Sequence, residues 1–169
     1  GFSMAGNIGR KFADDPRNML FKEFVRIVRI VQPTCFVMEN VARLYTRLNG
    51  ETRNEIIDCF EALGYVVEAK VVCASDYGVP QNRQRVFFVG IKEKEFKFPE
   101  PDEQNIITCS DALSDLPPLD DIDGDWLLHD YVCNPQNEYQ TWVREGSNRI
   151  KNQQITKHSE QTKQIISMI

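Results

Sequence analysis

Three observations predict an α/β fold for this chain. Stretches of helical period alternate with short apolar, β-branched stretches over the first 92 residues. Gly and Pro stand at the changeovers. Hydrophobic content of 41% and aromatic content of 10% over 169 residues suit a globular core rather than disorder, and no run reaches the roughly 20 apolar residues that span a bilayer.

Residues 1–13 read as a loop punctuated by Gly1, Gly6 and Gly9. Asp15-Pro16 then opens a helix, because Asp can accept from orphan amides and proline has none to satisfy at the first helical position. Met19, Leu20, Phe24, Ile27, Val28 and Val31 recur at helical spacing, so an amphipathic helix is expected over roughly 16–31. Arg17, Lys22, Arg26 and Arg29 fall mostly off that stripe. Pro33 ends it, and Thr34-Cys35-Phe36-Val37-Met38 has the continuous apolarity of a strand buried on both faces of a parallel sheet. A second helix is expected over 51–63, with Ile56, Ile57, Phe60 and Leu63 inward and Gly64 as its stop. Val66 to Cys73 and Val86 to Ile91 read as strands, antiparallel to each other, joined through a link that holds Gly78 and Pro80.

Phe96 to Pro101 marks a boundary, dividing the chain into 1–100 and 101–169. Beyond it, Ser110 to Leu116 is expected to form a short helix stopped by Pro117-Pro118, and Asp120 to Asp125 an acidic loop. The stretch 126–157 has aromatics without clear period, and 159–168 reads as a final helix capped by Ser159.

The net charge of −5 is unevenly spread. Residues 1–53 carry nine basic against five acidic side chains, residues 93–130 two against twelve, and residues 142–169 five against two. Basic ends permit a phosphate-facing surface, and ordinary solvated faces explain them equally well. The five cysteines are odd in number, lack any C-x-x-C pair and fit reduced intracellular thiols, with Cys35 and Cys73 in the core. With two histidines and no closely spaced ligand pairs, a metal site is not expected.

Ligands of open α/β sheets bind at the carboxyl ends of strands, where Glu39 falls. A carboxylate there is either functional or a solvated strand end, and Glu39-Asn40-Val41 alone favours the latter. The run Gln81-x-Arg83-x-Arg85 changes the balance. If extended, its period of two puts three long polar side chains on one face, and arginine suits bidentate phosphate binding.

Four segments now fall in order: Gly1-Phe2-Ser3, Asp15-Pro16-Arg17-Asn18-Met19-Leu20, Glu39-Asn40-Val41 and Tyr77-Gly78-Val79-Pro80-Gln81-Asn82-Arg83-Gln84-Arg85. Together they resemble the DNA (cytosine-5)-methyltransferases, strongly over 1–92. The similarity is looser at Ser110 to Pro117, which resembles the opening of that family's target-recognition region. The resemblance implies a partial Rossmann-like methyltransferase sheet with flanking helices, followed by the start of a smaller irregular target-recognition region. It implies a cytoplasmic bacterial modification enzyme of a restriction-modification system. The substrate would be double-stranded DNA with a flipped cytosine, and S-adenosylmethionine the methyl donor.

By the same resemblance, Glu39 would stabilise ring nitrogen 3 of the base, and Arg83 and Arg85 would hold a flanking phosphate and the base's carbonyl oxygen. Gln81 would help bind substrate, Ser3 would contact the flipped nucleotide's backbone, and Leu20, Asn40 and Val41 would wall the methyl-donor pocket. The family's Pro-Cys-Gln loop would lie just before Gly1. The nucleophile and most of the donor site are therefore expected in the remainder of the catalytic domain, in the same chain or a second subunit. This chain alone is expected to be inactive. Two alternatives stay open, an RNA (tRNA) cytosine-5 methyltransferase and a non-catalytic relative acting as a regulatory or binding subunit. A nucleotide-binding oxidoreductase lacks the G-x-G-x-x-G run it would need.

Overall fold

The computed structural model describes residues 20–102, 106–117, 129–147, 149–151 and 158–168. The expected helix start at Asp15-Pro16, the acidic loop 120–125 and Ser3 lie outside them. The chain divides into two compact units between Ile106 and Ile107.

In the first unit, helix α1 (Leu20–Val31) leads into strand β1 (Cys35–Val41). A short helix α2 (Arg43–Thr46) and a 3-10 turn (Arg47–Gly50) follow, then helix α3 (Glu51–Glu61), strand β2 (Tyr65–Cys73), a 3-10 turn (Ala74–Tyr77) and strand β3 (Gln84–Lys92). The sheet order is β1-β3-β2, with the central β3 antiparallel to both neighbours. The expected antiparallel pairing of the last two strands is thus observed, as is the mixed α/β class.

The expectation of a parallel strand buried on both faces at 34–38 is not met. β1 alternates, with Phe36 and Met38 buried and Cys35 and Val37 exposed, because one sheet face packs on helices and the other does not. Cys35 is therefore a surface thiol and Cys73 a half-buried one, not core residues, and none of the five cysteines is in a disulfide.

α1 also differs from expectation. It buries Phe21, Val25 and Val28, leaving Leu20, Ile27 and Val31 exposed. The helix is apolar along two adjacent stripes, so periodicity identifies the helix but cannot choose the buried side. α3 follows the sequence closely: Ile56 and Phe60 are fully buried, and Ile57 and Leu63 pack at the core's edge. Each fully buried side chain of this size contributes about 1.5–3 kcal/mol. The helix stops at Gly64, whose φ of +85° is readily adopted without a Cβ, and whose amide closes the turn on Glu61.

The core between helices and sheet is an aromatic cluster. Phe36 sits 4.1 Å from Phe60 and 5.2 Å from Tyr65, with Phe24 edge-on to both Phe36 and Phe60. The Tyr65 hydroxyl donates to the Pro33 carbonyl at 2.6 Å, tying the start of β2 to the α1–β1 link. Burial, and to a lesser extent Cys35, pushes its pKa up.

The second unit holds α4 (Cys109–Leu113), β4 (His129–Asp130), α5 (Glu138–Val143), β5 (Arg149–Ile150) and α6 (Glu160–Ile166). β4 and β5 pair antiparallel. The helices begin at side-chain caps: Thr108 accepts from the Asp111 amide, Asn137 from Gln140 and Ser159 from Thr162. The unit's interior is largely polar. Gln140, fully buried, donates to the Asp111 carbonyl and Ser114 Oγ and accepts from the Gln136 amide. Arg144 pairs with buried Asp115 and lies 3.6 Å over the Tyr131 ring. Among the described residues no helix is long and apolar enough to cross a membrane.

Candidate functional site

On the sheet face turned away from α1 and α3, cross-strand neighbours share a side: Glu39 stands opposite Phe87, Val37 opposite Val89 and Val41 opposite Arg85. A cavity of about 500 Å³ opens over this face, within the usual range for small-ligand sites. Its floor is Val37, Val72, Phe87 and Val89, and its polar rim is Glu39, Arg83 and Arg85. Arg85 Nε lies 2.8 Å from Glu39 Oε1, with Glu39 still half exposed. Arg85 also donates through Nη1 to the Gln84 carbonyl at 2.8 Å. The carboxylate is thus held by the Arg85 guanidinium at the cavity mouth, and Arg83 lines the same cavity.

The far wall is a returning strap. After β3 the chain folds back so that Phe96, Phe98 and Pro99 line the cavity, the two rings meeting edge to face at 5.0 Å. Two bonds to the turn after β2 hold the strap: the Tyr77 hydroxyl donates to the Pro99 carbonyl at 3.1 Å, and the Asp102 amide to the Asp76 carbonyl at 2.8 Å. Lys70 sits 5.9 Å from the Phe98 ring on the same side.

Of the residues singled out from the sequence, the structure brings together Glu39, Arg83 and Arg85. Gln81 does not line the cavity. The expected extension of Gln81-x-Arg83-x-Arg85 is broken, because β3 begins only at Gln84 and tight turns precede it, Gln81 N to Val79 O at 2.6 Å and Arg83 N to Gln81 O at 2.9 Å. Asn40 and Val41 adjoin Glu39 at the end of β1 without lining the cavity, and Asn40 Oδ1 accepts from the Val41 amide. Leu20 opens α1 and is exposed.

Sequence reasoning missed Tyr77, Phe96, Phe98 and Pro99 as site residues, reading 96–101 only as a boundary. The signal present was the period-two pair Phe96 and Phe98 ending at a proline. No cysteine lines the cavity, and no group of residues able to hold a metal occurs among the described residues.

A family model described as C-5 cytosine-specific DNA methylase matches residues 1–168. The chain is similar to the Type II methyltransferase M1.HphI of Haemophilus parahaemolyticus, 50% identical over 153 residues that cover 88% of this chain and 41% of that protein. It is also similar to the Type II methyltransferase M.DdeI of Desulfomicrobium norvegicum, 37% identical over 175 residues, covering 95% of this chain and 40% of the relative. A crystal structure of a DNA modification methyltransferase encoded within an E. coli prophage superposes with a TM-score of 0.64 at 26% identity, over 90% of this chain and 51% of that one. The chain spans about two fifths of the length of these curated relatives. With a family model covering nearly every residue and relatives at this identity, the chain belongs to the C-5 cytosine-specific DNA methylase family.

Proposed function

We propose that this chain supplies the acid–arginine half of a DNA (cytosine-5)-methyltransferase active site, and that the remainder of the catalytic domain, in the same chain or a second subunit, supplies the nucleophilic cysteine. The observation that carries this reading is the convergence of Glu39, Arg83 and Arg85 on one cavity mouth, with Glu39 and Arg85 in contact. The family description, which names DNA, supports a DNA substrate over transfer RNA, and the Type II names of the relatives support a restriction-modification setting; the duplex form of the substrate and a cytoplasmic location are part of the proposal.

The chemistry requires such a group. Carbon 5 of cytosine is a poor nucleophile until a thiolate adds to carbon 6 and pushes electron density through the ring to nitrogen 3. Glu39 then donates a hydrogen bond or proton to nitrogen 3, and Arg85 fixes the direction in which its carboxyl points. Arg83 and Arg85 supply donors for the base's carbonyl oxygen and a flanking phosphate. The target carbon is inaccessible in a stacked duplex, so the base enters this cavity flipped out. Gln81, at the exposed turn before Arg83, and Ser3 contact the substrate strand.

S-adenosylmethionine supplies the methyl group when bound. Leu20, Asn40 and Val41 are the residues of this chain assigned to its pocket. With Asn40 Oδ1 engaged by the Val41 amide, the Asn40 NH2 is left to donate to a ligand, which is compatible with one wall of such a pocket. The rest of that site lies in the remainder of the domain. The second unit is assigned as the beginning of the target-recognition region.

The test is made in the complete enzyme. Glu39→Gln should lower the methyl-transfer rate by about 10²–10⁴-fold, the range for a positioned acid, while changing duplex affinity little. Arg85→Ala should weaken DNA binding and lower the slope of log affinity against log salt by about one. Equal losses of rate and affinity in Glu39→Gln would remove its acid role.

A further inference from the structure

We propose that Cys73 is a positioning residue, its thiol gripping Asn82 and so setting the aim of Arg83 at the cavity mouth. The inference rests on the proposed DNA-contacting role of Arg83.

Cys73 ends β2 and stands opposite Gln84, the first residue of β3. Its Sγ donates to Asn82 Oδ1 at 3.1 Å and lies 3.2 Å from Ser75 Oγ, which itself donates to Asp76 Oδ1 at 3.0 Å. The next residue, Ala74, donates its amide to the Arg83 carbonyl at 2.9 Å. Two adjacent residues at the end of one strand thus hold two adjacent residues of the turn that carries the site's first arginine.

This grip matters because it is a side-chain hold on the middle of the turn, whose other anchors are backbone bonds at its ends. Gln81, Asn82 and Arg83 are all exposed, and the local bonds Gln81 N to Val79 O and Arg83 N to Gln81 O join the turn to itself rather than to the sheet. With few buried contacts, such a segment takes its orientation from its anchors. Without the thiol, residues 81–83 keep only backbone anchors at their two ends, Val79 N to Ala74 O at 3.2 Å and Ala74 N to Arg83 O at 2.9 Å, and no side-chain bond of Asn82 fixes the turn between them. Cys73 is half-buried and does not line the cavity, so its influence on substrate passes through Asn82.

The experiment compares Cys73→Ala, Asn82→Ala, the double variant and Cys73→Ser in the complete enzyme, with Arg83→Ala as reference. A thiol is a weak donor, so each single alanine variant should raise the Kd and KM for duplex DNA by about two- to fivefold, the low end for one hydrogen bond. The kcat and Tm should hold. The double variant should be no worse than the worse single, since both remove one interaction. Serine at 73 should restore most of the loss, because a hydroxyl donates better. Asn82 is exposed, so its alanine variant reports on the contact even if a change at Cys73 disturbs the strand. Additive losses, a fall in kcat with KM unchanged, or no change in either alanine variant would overturn the inference. If Arg83→Ala weakens DNA binding while Cys73→Ala and Asn82→Ala do not, this inference alone falls. If Arg83→Ala also binds normally, the role of that arginine falls with it.

Discussion

Position 90 is a glycine because an aromatic ring occupies the place of its side chain. Gly90 stands directly opposite Phe36, and a Cβ there would fall 2.2 Å from Phe36 Cε1 and 2.5 Å from Cζ. The ring cannot retreat, since it is packed against Phe60 and Tyr65. Gly90→Ala is therefore expected to destabilise the fold by about 1–3 kcal/mol, the usual cost of overpacking a close-packed core. Denaturant midpoints of wild type and variant measure this, and Phe36→Leu in the Gly90→Ala background should recover part of the loss. An unchanged midpoint would mean that the ring does not rest on Gly90. The Glu39–Arg85 pair obeys a different logic. Half exposed, it contributes little to stability, and its consequence is the direction in which the carboxylate points. Both arginines were legible in the sequence from their spacing and residue type. Gln81's departure was not, because it depends on turns that the spacing does not reveal.

At the scale of elements, legibility followed burial pattern. α3 buries what its period indicates, and β2 and β3 form where β-branched and aromatic residues predict strands. α1 does not, for its two apolar stripes leave the choice to tertiary packing. The aromatic strap was invisible as a wall because its return across the sheet is fixed by Tyr77 and Asp76, far from it in sequence. In the second unit the usual inside and outside are exchanged: Trp142 is 67% exposed and Gln140 fully buried, so no hydrophobic period marks α5. A polar interior makes single partners costly to remove. Arg144→Met would strand buried Asp115, and a loss of about 3–5 kcal/mol is expected. Thermal unfolding of the variant checks this, and a Tm equal to wild type would count against a buried pair. α4 adds a pH dependence. Hydrogen bonds from the Thr108 hydroxyl and amide hold the Asp111 carboxyl below its usual pKa. A depressed carboxylate contributes stability that is present above the unfolded-state value, near 3.9, and is lost as pH falls through the folded-state value. The capping of α4 should thus persist to about pH 4 and loosen below it, while Asp111→Asn should abolish that acid dependence. Amide exchange at Asp111 and Ala112, followed against pH in both proteins, is the measurement, and identical profiles would contradict it.

For the whole molecule, the decisive comparison is between what the cavity offers and what the proposed reaction would need. The sequence contains five cysteines, at 35, 59, 73, 109 and 133, and none lines the cavity. Cys35 lies on the same sheet face as Glu39 but two strand positions beyond Val37, about 13 Å away along β1 at the usual rise per residue. That is too far for one group to reach carbon 6 while the other holds nitrogen 3 of the same ring. Cys73 has its thiol engaged by Asn82 and Ser75. The purified 169-residue chain is accordingly expected to transfer no methyl group to duplex DNA, even at saturating S-adenosylmethionine. Adding the remainder of the catalytic domain, separately expressed or joined, should restore transfer, and Glu39→Gln in this chain should lower the restored activity by about 10²–10⁴-fold. The readout is incorporation of labelled methyl into duplex DNA. Turnover by this chain alone would show that one of its own thiols reaches the base, and the division of the active site proposed for it would be wrong. The net charge of −5 bears on the same experiment. An acidic chain has no general attraction for DNA, so this chain's own share of duplex binding is expected to come from local cations such as Arg83 and Arg85, and Arg83→Ala with Arg85→Ala should reduce the binding of the reconstituted enzyme together with its salt dependence.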